Sequence, residues 1–277
     1  MRKQQQPDNR RAFDDRMKLH LRVVSVGGRT YRIVTLRPGT EAAFSTNFFH
    51  ETWHVVSDAA GALLLGRLLW GLAYQRQPGT LVLLHGEHVQ PTPFDADPSD
   101  PVLLVPAHLT PLDVRALRAL KERLHRLGPP QATIRWQTHG LSRFAGDRDA
   151  MWDDEGVERL CSAKGEGSWQ REQISRSGGF LCYTAPPQVL RLRAFQVHGL
   201  DPSRHGMDYH YLADRSGRRD ADGEVQVFRD YRRQLSDVRV ARREVLAEGG
   251  AAVPCPQALR ERVWQQRERV VARRNHR

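Results

Sequence analysis

The most chemically loaded stretch of the sequence is His50-Glu51-Thr52-Trp53-His54. Two histidines four residues apart stand one turn apart on an α-helix, where both imidazoles can bind one zinc ion. Glu51 then lies where a general base would act on a metal-bound water. The flanking residues Phe48, Phe49, Val55 and Val56 are uncharged, as a buried metal helix requires.

This pattern resembles the zincin metallopeptidase signature, over these five residues. The resemblance implies a zinc-dependent hydrolase with His50 and His54 as ligands and Glu51 as the catalytic base. The longer metzincin form needs a glycine and a third histidine further on, and Ser57 and Ala60 stand there instead. No glutamate on a following helix offers itself as a third ligand; the next one is Glu87, just after an expected strand. Local structure decides the matter. If Trp53 to Val56 form a strand, the ligand geometry fails.

A second constellation depends on topology. His85, with Glu87 and His88 just beyond, ends one expected strand; His108 follows a second and His139 a third. Ser57-Asp58 follows the strand expected before them. In open parallel sheets, ligands gather outside the carboxyl ends of the strands. Parallel strands would bring these imidazoles and carboxylates to one edge, as a metal site or an acid–base pair near neutral pH. An antiparallel pair would send His85 and His108 to opposite edges.

The third candidate is charge. The chain carries a formal +11 over 277 residues, and 39 of its 43 basic residues are arginine. Arginine binds phosphate in a bidentate manner, which points to nucleic acid; a GC-rich genome produces the same bias. Residues 1–50 hold 10 basic and 4 acidic side chains, residues 251–277 hold 7 and 2, and the rest is balanced at 26 and 26. Arg260, Arg262, Arg267, Arg269, Arg273, Arg274 and Arg277 cover the last expected helix, beside Trp264 and an apolar stripe of Leu259, Val263, Val270 and Val271. Such a helix can lie on phosphates or dock on an acidic protein. Two weaker features are the glycine-rich run 164–168, which matches no phosphate-loop pattern, and the acidic set Asp153, Asp154, Glu155 and Glu158.

The elements that must position these residues are partly legible. Leu19 to Val26 and Arg29 to Leu36 alternate around Gly27-Gly28, a hairpin signal. Residues 40–57 read equally as a helix from Thr40 or as a strand at Trp53 to Val56. Residues 59–76 read as a buried helix; the 16 apolar-rich residues from Ala59 to Tyr74 fall short of the ~20 that cross a bilayer and contain Arg67. Leu81 to Leu84 and Val102 to Val105 read as buried strands. Thr110, Pro111 and Asp113 open a helix closed by Gly128 and Pro129-Pro130, and Ala132 to Gln137 follows as a strand. Beyond it, the pattern predicts a helix at Met151 to Leu160, a loop over 164–179, strands at Phe180–Thr184, Val189–Val197 and Asp208–Leu212, and helices at Val227–Ala247 and Gln257–Arg274.

The expected fold is α/β or α+β, a mixed sheet with flanking helices, an N-terminal β-hairpin and C-terminal basic helices. The expected organisation is a basic arm over 1–18, an α/β layer over 19–140, an α+β second half over 141–248 in the same or a separate domain, and a basic helix over 249–277. Three widely spaced cysteines exclude a disulfide framework and fit a reducing cytoplasm. Two functional expectations follow: binding of nucleic acid or another polyanion, or of an acidic protein, through the basic ends, and a zinc-dependent hydrolase using either histidine set.

Overall fold

The computed structural model describes residues 17–141, 171–214, 221–248 and 255–275. The arm up to residue 16, the expected helix at 151–160, the glycine-rich run at 164–168 and Arg277 lie outside the described residues.

The fold is mixed α/β, with two mixed sheets and five flanking helices among the described residues. Strands β1 (Lys18–Val26) and β2 (Arg29–Thr35) form the expected hairpin. Gly27 and Gly28 take φ of +58° and +76°, which a two-residue turn of this hand demands. A second hairpin, β3 (Phe44–Phe49) and β4 (Thr52–Ser57), precedes helix α1 (Ala59–Ala73), whose Gly61 amide donates to the capping Asp58 carboxylate at 2.9 Å. Then come β5 (Thr80–Leu84), β6 (Val102–Pro106), α2 (Val114–Arg123), β7 (Ala132–Arg135), β8 (Gln173–Ser177), β9 (Phe180–Ala185), α3 (Pro187–His198), β10 (Met207–Leu212), β11 (Gly223–Phe228), α4 (Tyr231–Glu248) and α5 (Pro256–Asn275).

The larger sheet runs β7-β1-β2-β5-β6-β9-β8 and the smaller β10-β11-β4-β3. Both draw strands from either side of residue 140. Helices α1 and α3 share one core with a face of each sheet. Leu68, Leu72, Leu190 and Val197 of the helices meet Val82, Leu104 and Leu181 of the large sheet and Val55, Val225 and Val227 of the small one. Burial of such side chains contributes roughly 1.5–3 kcal/mol each. The two helices pack closely because residue 66 is glycine: a Cβ there would lie 2.7 Å from the Ala194 carbonyl oxygen. Helix α2 covers the other face of the large sheet with Ala116, Leu117 and Leu120. Helix α4 covers part of the other face of the small sheet, where Tyr231 and Leu235 meet Val56, and α5 packs on α4 through Leu259, Val263 and Val270.

Four local expectations are corrected. The segment expected as a strand at Val189–Val197 is helix α3. It is buried on nearly all sides between the sheets, so it carries no helical stripe; the proline at its first turn was the overlooked signal. Residues 173–177 form β8 rather than a loop, joined to β9 through a second Gly-Gly turn with φ of +58° and +83°. The helix expected from Val227 starts at Tyr231, and β11 occupies the residues before it. The cap of α2 also shifts: the Ala116 amide donates to Asp113 at 2.7 Å, while the Thr110 hydroxyl donates to the Thr80 carbonyl.

Candidate functional site

The His-Glu-x-x-His stretch is not helical. His50 and Glu51 are the two turn residues of the β3–β4 hairpin, with φ of 48° and 62°, and His54 lies inside β4. The one-turn spacing that would aim both imidazoles at one zinc ion is therefore absent. His50 is exposed and stacks on Phe49 at 3.9 Å, whereas His54 is buried. Burial explains the outcome. Val55 faces the inner core and Val56 faces α4, so the segment satisfies two covered faces only as a strand.

The second histidine set does not converge at one edge. Strands β5 and β6 are antiparallel, so His85 and His108 leave the sheet on opposite sides. His139 follows β7, at the far edge of the large sheet. His88 is buried in a short turn, its Nδ1 3.3 Å from the Ala42 carbonyl oxygen. Among the described residues, no group of three or more His, Cys, Asp or Glu side chains is placed to hold a metal.

The arginines of α5 largely face the protein's own carboxylates. Arg260 contacts Asp97 at 2.7 Å and Asp95 at 3.5 Å, Arg273 meets Glu244 at 2.7 Å, Arg274 meets the buried Asp237 at 2.5 Å, and Arg262 lies 4.0 Å from Glu248. Arg269 donates to Gln266 at 3.3 Å. Arg267 is half-buried. The helix is thus stitched to α4 and to the 95–97 loop, and four of its six described arginines are already in ion pairs.

A different site emerges on the outer face of the small sheet. The registers place Tyr211, Glu224, His54 and Asn47 in one row across β10, β11, β4 and β3. The next row is Tyr209, Gln226, Val56 and Ser45. Helix α4 closes the Ser45 end, where the Ser45 and Tyr231 hydroxyls lie 2.7 Å apart. The rest of the face opens into a groove of about 630 Å³ between the sheet and α5. Aromatic residues form its walls: Phe48, Phe49, Phe94, Phe228 and Trp264. Trp264 is 59% exposed, and Phe48 and Phe49 are 53% and 57% exposed, so this is apolar surface that the fold leaves uncovered. Tyr209 and Tyr211, in edge-to-face contact at 5.3 Å, continue the same face.

The groove is acidic in a basic protein. Asp95, Glu261 and Glu268 line it, and Arg260, the only lining cation among the described residues, is bound to Asp95 and Asp97. His54 is the buried polar group in the lining. Its Nε2 lies 3.5 Å from Glu224 Oε2, and its Nδ1 is buried with no hydrogen-bond partner. Burial, reinforced by His50, pulls the imidazole down to about 4, so it is neutral at physiological pH. Burial raises the Glu224 carboxyl above its usual range.

The inner face of the same sheet meets a contrasting set through His210. Glu172, fully buried, accepts from Arg193 Nε at 2.8 Å, from Nη2 at 2.9 Å and from the Tyr183 hydroxyl at 2.8 Å. Arg193 Nη1 donates to Gln196 at 3.1 Å and to His210 Nε2 at 2.7 Å. Burial and then Arg193 pull His210 down to about 3. This network joins β9, α3 and β10 with every member engaged.

Sequence reasoning named His54 for a metal and Trp264 for a basic helix, and missed Glu224, Asn47 and the groove itself. The alternation of Glu224, Gln226 and Phe228 in β11 was the available signal. Comparison of the chain with family models, with curated proteins and with solved structures finds no match. Fold and site together define a two-sheet α/β protein with an aromatic, acid-rimmed groove. No helix among the described residues is long and apolar enough to cross a membrane.

Proposed function

We propose that the protein binds a small organic cation with an apolar body in the groove between the four-stranded sheet and α5. The observation that carries this reading is the uncovered aromatic wall of Phe48, Phe49 and Trp264 set against the carboxylates Asp95, Glu261 and Glu268. Aromatic faces attract cations by about 0.5–2 kcal/mol each, and neighbouring carboxylates add to that attraction. An anion would meet three carboxylates and one arginine that is already paired. The volume of about 630 Å³ suits a ligand of modest size.

The test is titration of the protein with phenethylamine and with 3-phenylpropionate, followed by NMR shifts of groove residues. The amine should bind and the carboxylate should not, and Trp264→Ala should weaken the amine about tenfold or more. Equal binding of the two probes would overturn the reading. Binding of an oligonucleotide that falls steeply with salt, and is lost on deleting 257–277, would favour the polyanion function in its place.

A further inference from the structure

We infer that the α2 side of the large sheet, with the exposed side of α2 itself, binds the phosphate backbone of a nucleic-acid duplex. This surface belongs to the other sheet and stands independently of the groove.

Positive charge is concentrated there. Residues 17–37 hold five basic and no acidic side chains, and residues 114–135 hold six and one. Along β1, Leu19 and Leu21 enter the inner core while Val24 and Val26 pack with α2. Side chains alternate along a strand, so Lys18, His20 and Arg22 take the α2 side. The register sets Arg135 of β7 opposite Lys18. His85 follows Leu81 and Leu83 of β5, which face α2. Beside this strip, α2 buries Ala116, Leu117 and Leu120 and leaves Arg115 and Arg118 exposed, with Arg126 exposed in the turn that follows.

The chain does not neutralise these charges. Among the described residues, only Asp113 brings a carboxylate within 4.0 Å of any of the eleven, and it lies 4.0 Å from Arg29. Arg22 is held by neutral acceptors: Nη1 donates to the Thr35 hydroxyl at 2.8 Å and Nε to the Gly128 carbonyl at 2.9 Å. The field reaches the imidazoles as well. Burial, then Arg22 and Arg37, hold His20 below its ordinary range, and burial, Arg22 and His88 do the same for His85. The arginines of α5, by contrast, are mostly spent on carboxylates of the protein itself.

The absence of rings on this surface selects the partner. Guanidinium groups match phosphate oxygens. Single strands are held by stacking bases on aromatic side chains. None of the exposed aromatic residues among those described lies on β1, β2, β7 or α2. Contact is therefore with the backbone, which a duplex presents at one charge per about 1.7 Å. Val114 is the one exposed large apolar side chain of α2, too little for a membrane-inserting face or the apolar core of a protein interface.

The experiment is fluorescence anisotropy of a labelled DNA duplex of arbitrary sequence, about 20 base pairs long, titrated with the full chain at several salt concentrations. The expected dissociation constant is about 1–100 μM near physiological salt, with a log–log salt slope of about −4 to −5 for about five phosphates met. A variant combining Arg37→Gln, Arg118→Gln, Arg126→Gln and Arg135→Gln should bind more than about a hundredfold more weakly and lose about three to four from the slope. A charge-matched control on α4 and α5, with Arg239→Gln, Arg243→Gln, Arg262→Gln and Arg269→Gln, should stay within about threefold of the parent. Glu122→Gln should tighten binding about twofold to fivefold, a gain that lost folding cannot imitate. An equal loss in the control would show that binding follows net charge and overturn the assignment to this face. Tighter binding of the single strand than of the duplex would overturn it too, as would binding of anionic phospholipid vesicles or polyglutamate without binding of the duplex.

Discussion

The small sheet carries a histidine on each face, His54 buried on the outer one and His210 half-buried on the inner one, and the two differ in their company. His210, on the inner face, takes a hydrogen bond from Arg193 within a network where Glu172, Tyr183 and Gln196 are also engaged. His54, on the outer face, touches Glu224 at 3.5 Å through one nitrogen and leaves the other without a partner. Burial lowers both imidazoles. What separates them is satisfaction. A saturated polar network holds the strands and α3 in one arrangement, whereas the buried Nδ1 of His54 adds no hydrogen bond to the outer face.

The largest test of this contrast is Glu172→Ala. It removes the partner of a buried guanidinium and should cost about 3–5 kcal/mol of stability, measured by denaturant unfolding. A cost below about 1 kcal/mol would show that the inner network is not structural.

The next test is pH. Each histidine is held below its ordinary value of 6.5 in the folded state, so the unfolded chain binds more protons in between. Their contribution is intact above pH 6.5 and is lost as pH falls towards about 4 for His54 and about 3 for His210. Stability should drop by about 2 kcal/mol per histidine between pH 7 and pH 5. The raised Glu224 carboxyl works in the opposite direction, losing stability as pH rises above its unfolded value. His54→Phe should therefore flatten the acid side of the profile, and an unchanged slope would contradict the burial of that ring.

The smallest effect separates the faces most directly. His210→Phe strips an acceptor from Arg193 and should cost about 1–3 kcal/mol. His54→Phe removes only the longer 3.5 Å contact with Glu224 and should cost less, under about 1 kcal/mol. Equal costs would erase the distinction between the two histidines.

Elements with local signatures were legible. The Gly27-Gly28 hairpin, the apolar run of α1 and the stripe of α5 each announce themselves within a few residues. Helix α3 did not, because a helix covered on all sides loses the periodicity that reveals it. The His50–His54 stretch misled for a related reason: a five-residue spacing rule presumes a helix, and here two covered faces enforce a strand. The groove was least legible. Its lining joins His54 to Gln226, 172 positions later, across the parallel pairing of β4 with β11.

The sequence by itself determined the element types with short-range codes, the placement of excess charge at the two ends, and the presence of an imidazole at position 54 and an indole at 264. Tertiary structure decided what those groups do. It turned the arginines of α5 inward to Glu244, Asp237 and Asp97, because carboxylates distant in sequence are adjacent once α5 docks on α4 and the 95–97 loop. It converted two histidines of similar local context into opposites, because burial and partnership are properties of the packed faces and not of neighbours along the chain.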